Sequence, residues 1–99
     1  MKKMTTTEVM EKLDNNEDLT LLDVREIGEV ESDGKIPGAI NVPLSVLESK
    51  LQELDKDKEY HIICHAGGRS ARAQEFLESQ GFKTIDILGG MSAWEGKRE

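Results

Sequence analysis

Apolar residues in this chain come in short blocks divided by charged or glycine-bearing stretches, and their spacing differs from block to block. Leu19 to Val24, LTLLDV, is nearly continuous in Leu and Val, the pattern of a short strand covered on both faces. Tyr60 to Cys64, YHIIC, and Lys83 to Gly90, KTIDILGG, also read as strands. A brief strand fits Ala39 to Val42, bounded by Pro37 and Pro43. Helical spacing lies between these runs. Thr5 and Glu8 form a capping box ahead of Val9, Met10 and Leu13, which predicts a short first helix. Ser45 and Glu48 repeat that cue, and Leu44, Leu47, Leu51 and Leu54 share one helix face. Arg69 to Gln80 reads as a helix with Ala73, Phe76 and Leu77 inward, and Gly81 is placed to end it in a left-handed conformation. The segment EIGEVESDGK from Glu26 is polar, with Asp33-Gly34 as a turn. Met91 to Glu99 is a short final helix or turn.

Strands alternating with helices predict an α/β fold: right-handed crossovers joining a parallel sheet with helices on both faces. The 99 residues fit one domain spanning 1–99. In such sheets ligands bind beyond the carboxyl ends of the strands. Cys64 ends a predicted strand and so falls at the ligand edge.

Charge narrows the partners. A formal net charge of −7 disfavours a nucleic-acid binder, which needs clustered Lys and Arg. No apolar run approaches the roughly 20 residues that span a bilayer. The start, MKKMTTTEVMEKL, has no apolar block behind its lysines and does not read as a secretory signal. The single cysteine cannot close an internal disulfide, and a cytoplasmic location, which keeps a thiol reduced, is the expectation.

Cys64 is followed by His65, Ala66, Gly67, Gly68 and Arg69. A loop entering a helix offers backbone N–H groups and the positive end of the helix dipole. Gly67 and Gly68 let the backbone take positive φ and turn N–H groups toward one point. Arg69 adds a permanent charge. This setting favours Cys64 as a thiolate nucleophile with an anion beside it. The plainer alternative is a buried structural cysteine at a strand end. His61, Cys64 and His65 do not make a metal site. A structural zinc wants four ligands, and neighbouring strand residues point to opposite faces. Asp23 and Arg25 end another strand at the same edge. Arg25 either helps hold an anion or pins loops with Asp23.

The segment CHAGGRS, Cys64 to Ser70, resembles the C-x-x-G-x-R-S active-site loop of the rhodanese family. LLDVRE (Leu21 to Glu26), KIPGAINVPL (Lys35 to Leu44) and LGGMSAW (Leu88 to Trp94) resemble three further motifs of that family, in the family's order. Lys35 stands where the family usually has a histidine. The resemblance implies a rhodanese-like fold with a five-stranded parallel sheet. It also implies sulfane-sulfur transfer through a persulfide on Cys64, held by N–H groups from His65 to Arg69. The donor would be thiosulfate or a persulfide, and the acceptor cyanide or a thiol, including a small thiol protein. No metal or organic cofactor is implied, because the thiolate itself carries the sulfur. Some thiosulfate-specialised members carry cations just after the cysteine, where this chain has His65 and Ala66. Two other readings share the loop logic. One is a cysteine-dependent phosphatase or arsenate reductase, whose C-x5-R loop is one residue longer. The other is a rhodanese-like interaction module without turnover.

Overall fold

The computed structural model describes Met1–Glu99. Five strands form one parallel sheet in the order β1-β5-β4-β2-β3. They are β1 (Lys2–Thr5), β2 (Thr20–Asp23), β3 (Ile40–Asn41), β4 (Glu59–Ile63) and β5 (Lys83–Leu88). Three α-helices are α1 (Thr6–Asp14), α2 (Ile27–Asp33) and α3 (Gly68–Ser79). The parallel α/β architecture read from the alternating strands and helices, and the five strands that the family resemblance implies, are the observed ones.

Side-chain alternation along the central strands divides the interior into two cores, one on each face of the sheet. Leu22, Tyr60, Ile62 and Cys64 join Ala73 and Leu77 of α3 and Leu47 in one core. Leu21, Ile63 and Ile87 join Val9 of α1, Met91 and Trp94 in the other. Cys64 thus lies on the α3 side, in line with Ile62. In parallel register Asp23 sits level with Ile63, so the residues after each leave the sheet at the same edge.

Several local expectations hold. Thr5 caps α1, with the reciprocal bonds of a capping box to Glu8. Gly81 follows α3 at φ +91°.

Others are corrected. β1 is a strand where the sequence shows only polar residues and one methionine. It lies at the sheet edge with most positions exposed, so it needs no apolar face. The polar stretch after Glu26 is the helix α2, capped by Glu26 and Glu29 and buried at no position. The leucine face at 44–54 forms two 3-10 stretches, Leu44–Val46 and Glu48–Glu53, rather than one α-helix. The Ser45 hydroxyl does not cap there: it donates to the Glu26 carboxylate at 2.9 and 3.0 Å. The strand expected over Ala39–Val42 is the two-residue β3. Its alignment continues through Val42 N–H to the Asp23 carbonyl and Leu44 N–H to the Val24 carbonyl.

Candidate active site

The loop from Cys64 to Gly67 joins the carboxyl end of β4 to the N-terminus of α3. Gly67 is the N-cap of α3 at φ +111°, a left-handed conformation that glycine adopts at little cost. This geometry aims the Gly67 N–H at the Cys64 Sγ, 3.0 Å away. The Ser70 hydroxyl closes the turn by donating to the Gly67 carbonyl at 3.1 Å. The N–H groups of His65, Ala66, Gly68, Arg69 and Ser70 have no acceptor within the protein. Such free donors at a helix start are a ready anion site. The expectation that both glycines take positive φ is half right: Gly68 does not, because it is already the first residue of the helix.

Cys64 is 1% exposed. His65, Ala66 and Gly68 are exposed, and Gly67 and Arg69 are half-buried. The nucleophile candidate therefore lies under its own loop.

A second loop holds the first from behind. The 3-10 turn Gly90–Ala93 follows β5. The Met91 N–H donates to the Cys64 carbonyl at 2.8 Å, and the Ser92 N–H to the His65 carbonyl at 2.9 Å. The approach is so close that a Cβ on Gly90 would lie 2.5 Å from both carbonyl oxygens. This is the physical reason for the second glycine of LGGMSAW.

Arg69 does not stand free as a cation for an anion. Its Nη1 and Nη2 donate to the two oxygens of Glu29 on α2, at 2.6 and 2.7 Å. The Glu29 carboxyl is lowered to about 2, first by Arg69 and then by the Glu26 backbone N–H. The same pairing raises Arg69 above the usual guanidinium value. Glu29 was not among the candidates read from the sequence. The available signal was the spacing of Glu26 and Glu29, a helix-start pattern hidden in a polar run.

Arg25 is 1% exposed, and its guanidinium is committed to acceptors within the protein, the geometry of the loop-pinning alternative. Its Nε and Nη2 donate to the Asp23 carboxylate, Nη2 also to the Gly34 carbonyl at 2.7 Å, and Nη1 to Asp33 at 3.1 Å. Burial opposes its charge, yet the bonds and charge of Asp23, with Asp33 and Glu29, raise its pKa. The Asn41 amide donates to the Asp23 and Arg25 carbonyls, both at 2.9 Å, tying β3 to the same loop. Asp33 also accepts from Arg98 at 2.7 Å, and Arg98 donates to the Met91 carbonyl at 2.9 Å. A continuous chain of bonds thus runs from Arg25 to the turn that holds Cys64. A cleft of about 230 Å³, lined by Arg25, Glu29, Ser32, Asp33 and His65, opens beside this network. A larger one of about 620 Å³, lined by Met10, Leu13, Pro37 and Trp94 among others, contains no residue of the Cys64 loop.

The chain belongs to the family of rhodanese-like domains, whose model matches residues 5–97. Among its relatives, the Bacillus subtilis "Putative sulfurtransferase YtwF" is 44% identical over 98% of this chain and 93% of its own length. A protein of Allochromatium vinosum named a sulfurtransferase is 33% identical over 85% of this chain and 78% of its own length. A crystal structure from Staphylococcus saprophyticus superposes with a TM-score of 0.92 at 35% identity, covering all of both chains. A Rhodopseudomonas palustris protein described as a "Possible Tyrosine Phosphatase" superposes at 0.87 with 28% identity, covering all of this chain and 85% of its own. No helix is long and apolar enough to cross a membrane.

Proposed function

We propose that this protein is a sulfurtransferase in which Cys64 carries a sulfane sulfur as a persulfide. One observation carries the reading: the Cys64 Sγ already accepts the Gly67 N–H, inside a loop whose neighbouring N–H groups have no acceptor. Those donors suit a thiolate and then a terminal persulfide sulfur at the same place. The thiolate attacks the outer sulfur of thiosulfate or a persulfide, the S–S bond breaks, and sulfite or a thiolate departs with the electron pair. Cyanide in an assay, or a thiol such as that of a small protein, takes the sulfur from Cys64. His65 to Arg69 form the binding loop, with Arg69 fixed by Glu29. The sulfurtransferase names of the relatives agree with this chemistry, and the proposal places it in one domain over residues 1–99 working in a reducing cytoplasm.

The phosphatase reading draws support from the Rhodopseudomonas neighbour's description. Against it stands the loop, with four residues between Cys64 and Arg69 and Arg69 already paired to a carboxylate. A phosphoryl group needs charge spread over three equatorial oxygens to be stabilised, which this loop supplies less well than a single sulfur needs.

Intact mass decides between them. Incubation with thiosulfate or a small persulfide should add one sulfur, about 32 Da, removed by cyanide or dithiothreitol. Cys64→Ala should never load. Alanine is the stricter control, because it removes the acceptor of the Gly67 N–H altogether whereas a serine hydroxyl would keep it. Absence of any adduct with either donor, or turnover of aryl phosphates, would overturn the proposal.

A further inference from the structure

We infer that Glu29 sets the donor preference of the Cys64 loop, turning it away from dianions and toward persulfides with little negative charge beside the outer sulfur. The inference rests on the sulfur-transfer reading and deepens it. Three arginines are bonded into the walls around the loop, and carboxylates claim all of them. Arg25 is held by Asp23 and Asp33, Arg98 by Asp33, and Arg69 by Glu29. Only Arg69 comes from the loop segment itself. Both of its terminal nitrogens are turned to Glu29, a bidentate geometry that leaves little of the fork for a second anion. Glu29 stays ionised across the ordinary pH range, since its carboxyl titrates near 2.

The cleft repeats this balance. Glu29, Asp33 and His65 share its lining with the exposed Ser32 and the buried Arg25. The cleft beside His65 thus offers an anion two carboxylates and no uncommitted cation. Thiosulfate arrives with two negative charges and leaves as sulfite with two. The backbone N–H groups then have to offset that charge alone, within a protein of formal net charge −7. A persulfide R–S–SH brings at most one charge. In that reaction the Cys64 thiolate attacks the outer sulfur, the S–S bond of the donor breaks, and RS⁻ leaves with the electron pair. Cys64–S–SH forms with no external oxidant or reductant, since the sulfane sulfur keeps its oxidation level.

The test measures single-turnover loading of Cys64 by intact mass, with thiosulfate and with hydroxyethyl persulfide as the two donors. Glu29→Gln removes one charge while keeping an oxygen to accept the Glu26 N–H that starts α2. Thiosulfate loading should rise about tenfold in this variant, the scale of one nearby charge acting on a dianion at intermediate dielectric. Hydroxyethyl persulfide should load within about twofold of the wild-type rate. Glu29→Asp, which keeps the charge, should stay slow with thiosulfate. Raising ionic strength should speed thiosulfate loading of the wild type more than that of Glu29→Gln. An unchanged donor ratio in Glu29→Gln, or equal slowing with both donors, would make Glu29 a strut only and overturn the inference while leaving sulfur transfer intact. Failure of both donors to load the wild type would instead overturn the sulfur-transfer reading. Should Glu29→Gln not fold, the wild type alone decides. Thiosulfate loading that is as fast as persulfide loading and indifferent to salt refutes the inference.

Discussion

Two loops leave the same edge of the sheet and satisfy their polar groups in opposite ways. The loop after β2 is saturated. The buried Asp23 carboxylate accepts from the Arg25 backbone N–H and guanidinium, and the Asn41 amide donates to the Asp23 and Arg25 carbonyls. The loop after β4 is left open, with a buried thiol and a row of N–H groups without acceptors. The contrast separates two jobs. Open donors are kept from collapsing onto local acceptors only if the surrounding backbone is held elsewhere, and the saturated loop does the holding through Asp33, Arg98 and Met91. Preorganised, unsatisfied donors are what a reacting anion uses.

Removing the saturation should have the largest effect. Arg25→Ala leaves Asp23 buried without its partner and is expected to cost about 3–5 kcal/mol, read from the urea midpoint at constant slope. A loss under about 1 kcal/mol would mean the pair is not a brace. Next comes the joint between the loops. Gly90→Ala drives a Cβ into the Cys64 and His65 carbonyls at a position of φ +60°, and we predict a loss of about 1–3 kcal/mol with slower sulfur loading. Wild-type stability and loading would show that the turn does not hold the nucleophile.

The adjacent glycines of the open loop sharpen the comparison further. Gly67→Ala forces a side chain into the left-handed region and should cost about 1–2 kcal/mol. Gly68→Ala has open space around its Cβ and negative φ, so it should stabilise by about 0.4–1 kcal/mol through the unfolded chain. Thermal unfolding of the two single variants checks this, and equal effects would refute the assigned conformations.

The smallest effect concerns the Glu29–Arg69 tie between α2 and α3. The folded-state Glu29 pKa lies near 2, below its ordinary value of 4.5. The tie therefore stabilises the fold fully above about pH 4.5 and is lost as pH falls toward 2. Both side chains are about one-third exposed, so solvent screening limits the gain to about 1 kcal/mol or less. A carbon-detected titration of the Glu29 carboxyl should show a midpoint near 2. A midpoint near 4.5 would mean the pair does not form in solution.

What the sequence reveals follows what had to be apolar. β2, β4, β5, α1 and α3 each bury side chains, so periodicity exposes them. β1 and α2 bury almost nothing and leave no such trace. The 3-10 segments share the leucine spacing of an α-turn over so short a length that the two cannot be told apart by pattern. In the site, Cys64, Gly67 and the helix start are visible because strand, glycine and helix signals coincide. The partner of Arg69 is not, since a glutamate in a polar run looks like any solvated charge. Nor is the role of Gly90, which depends on two carbonyls from a distant loop.

The strand order has a consequence for assembly during synthesis. β1, made first, pairs with β5, made last, with Lys2 level with Ile85. Closing so long a stretch of chain is entropically slow, and parallel pairings of high sequence separation come late in folding. The turn at Gly90–Ala93 that anchors the Cys64 and His65 carbonyls is made later still. A nascent chain that has emerged only as far as α3 contains the thiol and its glycines but not the backbone that fixes them. Under the proposed chemistry, sulfur loading at Cys64 should therefore switch on only after β5 and its following turn have left the ribosome.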